Sequence, residues 1–199
     1  MKMGLETAKD GKLLYHLTEL KNLESIVKIG LRSRRKLISE QLPFSDIADP
    51  NIIDERKERG LDEYIPFHFH PYSAFDVAVK YKHDQEKMAY ICVSREFAMK
   101  EQFKVLPKHP LAGNECVLYD FSEGINKIDW DKLMQIGNST EDAKAIKMAE
   151  ALCNRTIYVK EFQSIAVETD EDKEWVKDIL NKYCVGFRLP FVDARPMWF

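Results

Sequence analysis

The chain reads as a single α+β domain. Strand-like and helix-like periodicities are interspersed without the regular alternation of a doubly wound sheet, and no G-x-G-x-x-G follows an apolar strand. A Rossmann-type dinucleotide site is therefore disfavoured. The 199 residues supply one sizeable core and too little for two. At 45% hydrophobic and 32% charged, the composition is that of an ordinary globular domain rather than a membrane or disordered chain.

Residues 1–12 are polar and expected to be loose. Leu13 to Leu17 then cluster large apolar side chains around His16, which predicts a short buried strand ending near Thr18. From Asn22 the period changes. Leu23, Ile26 and Val27 recur at helical spacing with Glu24 and Lys28 turned away, and Gly30 sits where a helix needs a left-handed residue to stop. Residues 37–51 lack periodicity and carry Pro43 and Pro50, so a surface loop is expected. Asn51 to Arg59 is charged enough for a short solvated helix, in which Arg56 by itself reads as a surface residue.

Tyr64 to Phe69 predicts a central strand with Pro66 near its start, where a missing donor is tolerated. His68 and His70 share one face of it, but no nearby Cys or acid completes a ligand set, and no metal is expected. Ala74 to Lys82 reads as a helix and Met88 to Ser94 as a strand. Beyond that, Glu96 to Lys104 is a helix candidate, Lys108 to Gly113 a turn and Glu115 to Phe121 a strand candidate. Ile128-Asp129-Trp130 leads into a short helix that Gly137 ends. Ser139 to Leu152 is expected as one helix, with Ser139 and Asp142 as a capping box and with Glu150, taken alone, as one of its exposed acids. Thr156 to Val159 and Ser164 to Glu168 read as late strands. Asp172 to Tyr183 reads as an amphipathic helix around Trp175, Val176, Ile179 and Leu180. The tail from Phe187 to Phe199, rich in aromatics and proline, is expected to pack back over the domain.

Charge and cysteines set boundary conditions. The formal charge is −3, so any phosphate-binding surface must be local, and the densest basic cluster is Arg32, Arg34, Arg35 and Lys36. Cys92, Cys116, Cys153 and Cys184 form no C-x-x-C pair and are expected as buried free thiols in a reducing cytoplasm. No run approaches a membrane span, and no apolar signal core opens the chain.

The phrase Tyr15-His16-x-Thr18, followed by Asn22-Leu23-x-x-Ile26 and Gly30-Leu31, resembles the opening of the DarT family of DNA ADP-ribosyltransferases. Four later phrases resemble that family in the same order. They are Ile53-x-x-Arg56, Tyr64-Ile65-Pro66-Phe67-x-Phe69-x-Pro71-x-Ser73, Ile128-Asp129-Trp130, and Met148-Ala149-Glu150 followed by Leu152. The resemblance spans roughly residues 13–180 and implies an ADP-ribosyltransferase-like fold, a central split antiparallel or mixed sheet with peripheral helices. It also implies transfer of ADP-ribose from NAD to a base in single-stranded DNA, as a toxin countered by a DarG-like macrodomain antitoxin.

The same resemblance implies residue roles. Glu150 and Arg56 are the catalytic pair. His16, Thr18 and Asn22 would hold NAD, with Phe67, Phe69, Tyr72 and Phe75 as unranked candidate walls of its nicotinamide pocket. These residue types suit the chemistry. Cleaving the nicotinamide–ribose bond develops cationic character on the ribose, which a carboxylate stabilises in place. Arg is a permanent planar cation suited to a pyrophosphate or a base. The chain departs from the family at His68, where Tyr is usual, and at Pro107-Lys108-His109-Pro110-Leu111-Ala112-Gly113, where an Asp-Gly-His-Ala-like turn is usual. Base choice is expected in that loop, with Lys108 and His109 as substrate-binding residues. Two rivals remain at the sequence level: the same fold acting on RNA, protein or a tRNA phosphate, and a non-catalytic nucleotide-binding module. Nicotinamide release separates the second, and acceptor competition the first.

Overall fold

The structure is a computed structural model, and it describes residues 8–109, 115–135 and 140–199. Strand β1 (Leu13–Glu19) leads into helix α1 (Leu23–Ile29), which stops at Gly30 with φ of 86°. Helices α2 (Arg34–Ser39) and α3 (Pro50–Glu58) follow, the second opened by an Asp49 cap and Pro50. Next come β2 (Ile65–His68), α4 (Ala74–Lys82) with a Ser73–Asp76 capping box, β3 (Met88–Ser94) and α5 (Arg95–Lys100). Short elements occupy the middle: β4 (Lys104–Leu106), β5 (Tyr119–Asp120), α6 (Phe121–Lys127) and α7 (Trp130–Met134). The chain closes with α8 (Glu141–Lys147), β6 (Glu150–Cys153), β7 (Ser164–Val167), α9 (Asp170–Tyr183) and β8 (Phe191–Ala194).

The described strands form one mixed sheet in the order β5-β4-β6-β2-β1-β3-β7-β8, antiparallel throughout except for the parallel β7–β8 pair. β1 pairs with β3 over seven positions, from Leu13 opposite Ser94 to Glu19 opposite Met88. With β2 it shares one register pair, Tyr15 opposite His68. The sheet is thus split into two four-strand halves that diverge along β1 and β2. Its main core lies on one face, built on Leu14, Ile65, Phe67, Ile91, Val93 and Ala151 and closed by α1 and α9. A smaller cluster around Leu17, Tyr90, Cys92 and Ala166 lies on the other, capped by Trp198 and Phe199.

Several expectations need correction. Ser139 to Leu152 is not one helix. Thr140 caps α8, Met148 leaves the helical region, and Glu150 to Cys153 form a fully buried strand between β2 and β4. A short apolar run suits either state, and the open sheet position decides. Ser139 and Gly137 lie outside the described residues. Glu115 to Phe121 contributes only the two-residue β5, and β4 replaces the end of the expected helix. Thr156 to Val159 makes a single bridge, Ile157 to Leu31. On α9 Val176, Ile179 and Leu180 are buried, but Trp175 faces solvent. The tail packs back as expected, and adds a strand by pairing β8 with β7.

Cys92, Cys153 and Cys184 are buried free thiols, and Cys116 is half-buried. Among the described residues no helix is long and apolar enough to cross a membrane.

Candidate active site

A cleft opens where β1 and β2 part. Its cavity volume is about 170 Å³. Its floor is His16 and Thr18 from β1 with Pro66 and His68 from β2. Ile26 and Ile29 of α1 form one wall, and Arg56 of α3 with Phe75 of α4 another. The irregular segment 43–48, expected as plain surface, lines it along its whole length.

His16 is fixed in one tautomer. Its Nδ1 lies 2.8 Å from the Pro66 carbonyl oxygen, which only accepts, so Nδ1 carries the proton and Nε2 is an acceptor. Pro66 donates nothing to a ladder, and its carbonyl is engaged by this side chain instead. Burial pushes the imidazole down to about 4, outweighing the Pro66 carbonyl, so His16 is neutral at pH 7. Thr18 is buried and its Oγ1 accepts from Asn22 Nδ2 at 3.1 Å.

Glu150 stands directly opposite His68 on β2 and Leu106 on β4, and is only 3% exposed. The sheet register, not a helix, delivers it to the site. Arg56 reaches over from α3 and places Nη1 2.9 Å and 2.7 Å from the two carboxylate oxygens. Burial opposes the charge on Glu150, but Arg56, His109 and His68 together hold its carboxyl below the usual range. Arg56 is therefore no surface residue: its side chain is 12% exposed.

The same neighbourhood holds buried polar atoms with no hydrogen-bond partner among the described residues. They are Arg56 Nη2, His68 Nδ1 and both ring nitrogens of His109. His109 is fully buried, tied through its backbone N–H to the Ala145 carbonyl at 2.9 Å, and burial lowers its pKa. Buried polar groups normally find partners, and several unsatisfied around one carboxylate mark a place built to receive polar atoms.

The other expected residues fall elsewhere. Phe67 is in the main core, fully buried, its ring 5.6 Å from His16 and 5.8 Å from Phe103. Strand alternation turns it from the cleft, so it backs the His16 ring rather than lining a pocket. Tyr72 is half-exposed and outside the cleft. Its backbone is left-handed (φ of 64°), its N–H donates to the Tyr90 hydroxyl, and Lys80 lies 4.8 Å from its ring. Lys108 is on the surface, bonded to Asp142, and residues 110–114 of its loop lie outside the described residues.

Phe75, one of the four aromatic candidates, does line the cleft, whereas Phe69 lies in the main core and sequence reasoning missed His68 as a wall. The His68 and Phe75 rings stack 5.4 Å apart, and the H-x-H face of β2 was the available signal. Among the described residues no group of three His, Cys, Asp or Glu side chains is disposed to hold a metal. His70 is turned to its own chain, with Nδ1 3.0 Å from the Pro71 carbonyl. The three arginines of the basic cluster are paired with acids, Arg32 with Glu40, Arg34 with Asp46, and Arg35 with Asp62 and Glu63, while Lys36 donates to Thr156 Oγ1.

Comparison with known proteins bears on this arrangement. A structure of Thermus sp. 2.9 DarT in complex with ADP-ribosylated single-stranded DNA matches with a TM-score of 0.79 at 22% identity, over 96% of this chain and 97% of that one. The same Thermus protein in complex with NAD+ matches with a TM-score of 0.74 at 21% identity, over 94% and 97%. Thermosipho africanus DarTG in complex with ADP-ribose matches with a TM-score of 0.72 at 20% identity, over 95% of this chain and 51% of that longer one. At such identities these matches establish the fold. The profile of the family described as "ssDNA thymidine ADP-ribosyltransferase, DarT" matches residues 15–199, nearly the whole chain, and the chain belongs to that family.

Proposed function

We propose that this chain transfers ADP-ribose from NAD to thymine in single-stranded DNA, with Glu150 as the reacting carboxylate and Arg56 as its partner. The observation that carries the assignment is the buried Arg56–Glu150 pair beside the His16 cleft, surrounded by unsatisfied polar atoms, in a member of the DarT family.

The cleft suits a dinucleotide. Ile26, Ile29, Phe44 and Phe75 offer flat apolar surface, while His16, Thr18 and Arg56 offer polar contacts. The neutral Nε2 of His16 accepts from a ribose hydroxyl, and its low pKa keeps that acceptor open across the physiological range. In the reaction the bond between the nicotinamide nitrogen and ribose C1′ breaks, and nicotinamide leaves with the bond's electrons. A new bond forms from a base ring nitrogen to C1′. In thymidine that nitrogen is N3, the one ring nitrogen carrying a proton, and the Glu150 carboxylate accepts that proton. Glu150 is suited to both duties. It is ionised at neutral pH, and it sits in a water-poor site where a carboxylate opposes developing positive charge strongly. Arg56 holds it in place through Nη1 and presents Nη2 as a donor to an incoming base carbonyl.

We place this activity in the cytoplasm, where free thiols persist, as the toxin of a pair whose antitoxin is a DarG-like macrodomain protein. Incubation with NAD and matched oligonucleotides, with and without thymine, tests the assignment. An ADP-ribose mass increment confined to thymine-containing single strands is expected, together with one nicotinamide released per adduct. NAD consumed with the increment on protein or RNA alone would overturn the acceptor. No NAD turnover would overturn the activity.

A further inference from the structure

Asn22 ends a 3-10 turn, Leu20–Asn22, that runs directly into α1, and its own backbone is helical, so its side chain is not needed as a cap and makes no cap bond. Its amide is spent on segment 43–48 instead. Asn22 Nδ2 donates to the Ser45 carbonyl at 2.9 Å, and Asn22 Oδ1 accepts from the Ser45 N–H at 2.9 Å. The second Nδ2 hydrogen goes to Thr18 Oγ1. The side chain thus pairs with a backbone unit as a neighbouring strand would, and has no donor left for a ligand.

Glu19 reaches the same segment. It is 2% exposed, a charge kept out of water at the end of β1. It accepts from the Ser45 hydroxyl, and Lys21 Nζ lies 2.6 Å from its other oxygen. It is absent from the cleft lining, whereas Ser45 is part of it. Two side chains from the end of β1 and the turn after it converge on Ser45, in a segment otherwise anchored by Arg34 on Asp46 and by burial of Ile47.

We propose that Glu19 and Asn22 form a clasp on Ser45 that sets segment 43–48 as the movable wall of the dinucleotide cleft, which makes both of them positioning residues rather than NAD contacts. The proposal rests on the assignment of NAD to this cleft. The wall must yield for a dinucleotide to enter and must return to exclude water, and the clasp sets the balance between those states.

The test compares Asn22→Ala, Glu19→Gln, Ser45→Ala and the Asn22→Ala/Glu19→Gln double variant. Three quantities are read: the KM for NAD, kcat on a thymine oligonucleotide, and amide hydrogen exchange across residues 43–48 without ligand. Exchange is expected to quicken at 43–48 in every variant. The KM for NAD should rise about tenfold for Asn22→Ala and less for the other single changes, with kcat altered much less than KM. The double variant should cost no more than about the larger single effect, because both side chains act through one wall. Unchanged exchange at 43–48 would overturn the clasp, as would KM effects that multiply. Glu19→Gln keeps the shape of the buried side chain, so the test survives if larger changes at that site fail to fold. If wild-type protein fails to bind NAD, the assignment of the cleft falls while the exchange data still judge the clasp.

Discussion

The two halves of the sheet are built by different rules. In β1-β3-β7-β8, β1 and β3 match over seven residues, and β3 is buried along almost its whole length. In β5-β4-β6-β2 the strands run two to four residues and are joined by short helices and turns. That half carries Glu150, His68 and, just beyond β4, His109, with Arg56 laid over them. One half is mostly a satisfied scaffold, with Glu19 at the end of β1 as its buried charge. The other holds buried charge and unpaired donors, a state stable only because the scaffold and the tertiary pairing impose it. Beyond their shared core, the halves are tied by Tyr15 opposite His68, His16 on the Pro66 carbonyl, and the Leu31–Ile157 bridge. Substitutions on the reactive half and at these ties sharpen the contrast.

The largest effect is expected from Glu150→Gln. Loss of the base alone costs roughly a hundred- to ten-thousandfold in rate, and lost electrostatic stabilisation adds to it. The change also leaves the Arg56 guanidinium buried without its counter-charge, which costs about 3 kcal/mol in stability. Were Glu150 an exposed helical residue, the stability change would be a few tenths. Adduct formation at saturating NAD beside a denaturant titration measures both. Near wild-type transfer would remove Glu150 from the chemistry, and unchanged stability would mean that the buried pair is not held as described.

Legibility in the sequence follows the same division. β1, α1 with its Gly30 stop, α4 and β3 are set by local pattern, because long periodic runs and strong caps act within ten residues. β4, β5 and β6 are not, because so short a segment has no period of its own. Ala149-Glu150-Ala151-Leu152 suits helix and strand alike until β2 and β4 offer it two edges. The site divides likewise. His16, Thr18, Arg56 and Glu150 were reached through the order of motif phrases, not through any physical signal in the lone residues. Phe67 was misplaced because alternation along β2 fixes which residues share a face but not which face meets the cleft. The clasp on Ser45 joins positions 23 residues apart by side-chain bonds, and nothing in a linear pattern announces it.

The tie at His16 predicts a pH dependence. The unfolded imidazole takes up a proton near pH 6.5, while the native one, desolvated in the cleft, resists until about 4. Across that window the unfolded state binds more protons, so stability is full above pH 6.5 and falls as the pH drops towards 4. The contribution is about 2 kcal/mol, allowing for solvent access through the cleft. His16→Asn keeps a donor for the Pro66 carbonyl and does not titrate. Its unfolding free energy should therefore fall less than that of wild type between pH 7 and pH 4. Parallel curves would show that the imidazole is as solvated in the native state as in the unfolded one.

Gly30 tests the other tie at smaller cost. Its φ of 86° is one that L side chains rarely adopt, and a Cβ there would lie 2.6 Å from Thr156 Cγ2 and 3.1 Å from the Ile157 carbonyl oxygen. The neighbouring Leu31 exchanges two backbone hydrogen bonds with Ile157, at 2.8 Å and 3.0 Å, on the connection that leaves β6 for the scaffold half. Gly30→Ala therefore combines a strained positive-φ alanine with a clash against the buried Thr156 methyl and a tight approach to the Ile157 carbonyl, and should cost about 1–3 kcal/mol. Because Gly30 also lines the cleft, the strain should spread into NAD affinity, whereas Gly60→Ala serves as a control. Gly60 also has positive φ (69°) but lies in the αL region that L residues can enter, and a Cβ there meets nothing within 4 Å, whereas Gly30 with ψ of 161° lies in a region essentially confined to glycine. Gly60→Ala should therefore cost less and leave the KM for NAD unchanged. A loss at Gly30 carried into the KM for NAD would show that the Leu31–Ile157 tie holds the two halves in register around the cleft, and an unchanged KM would show that it does not.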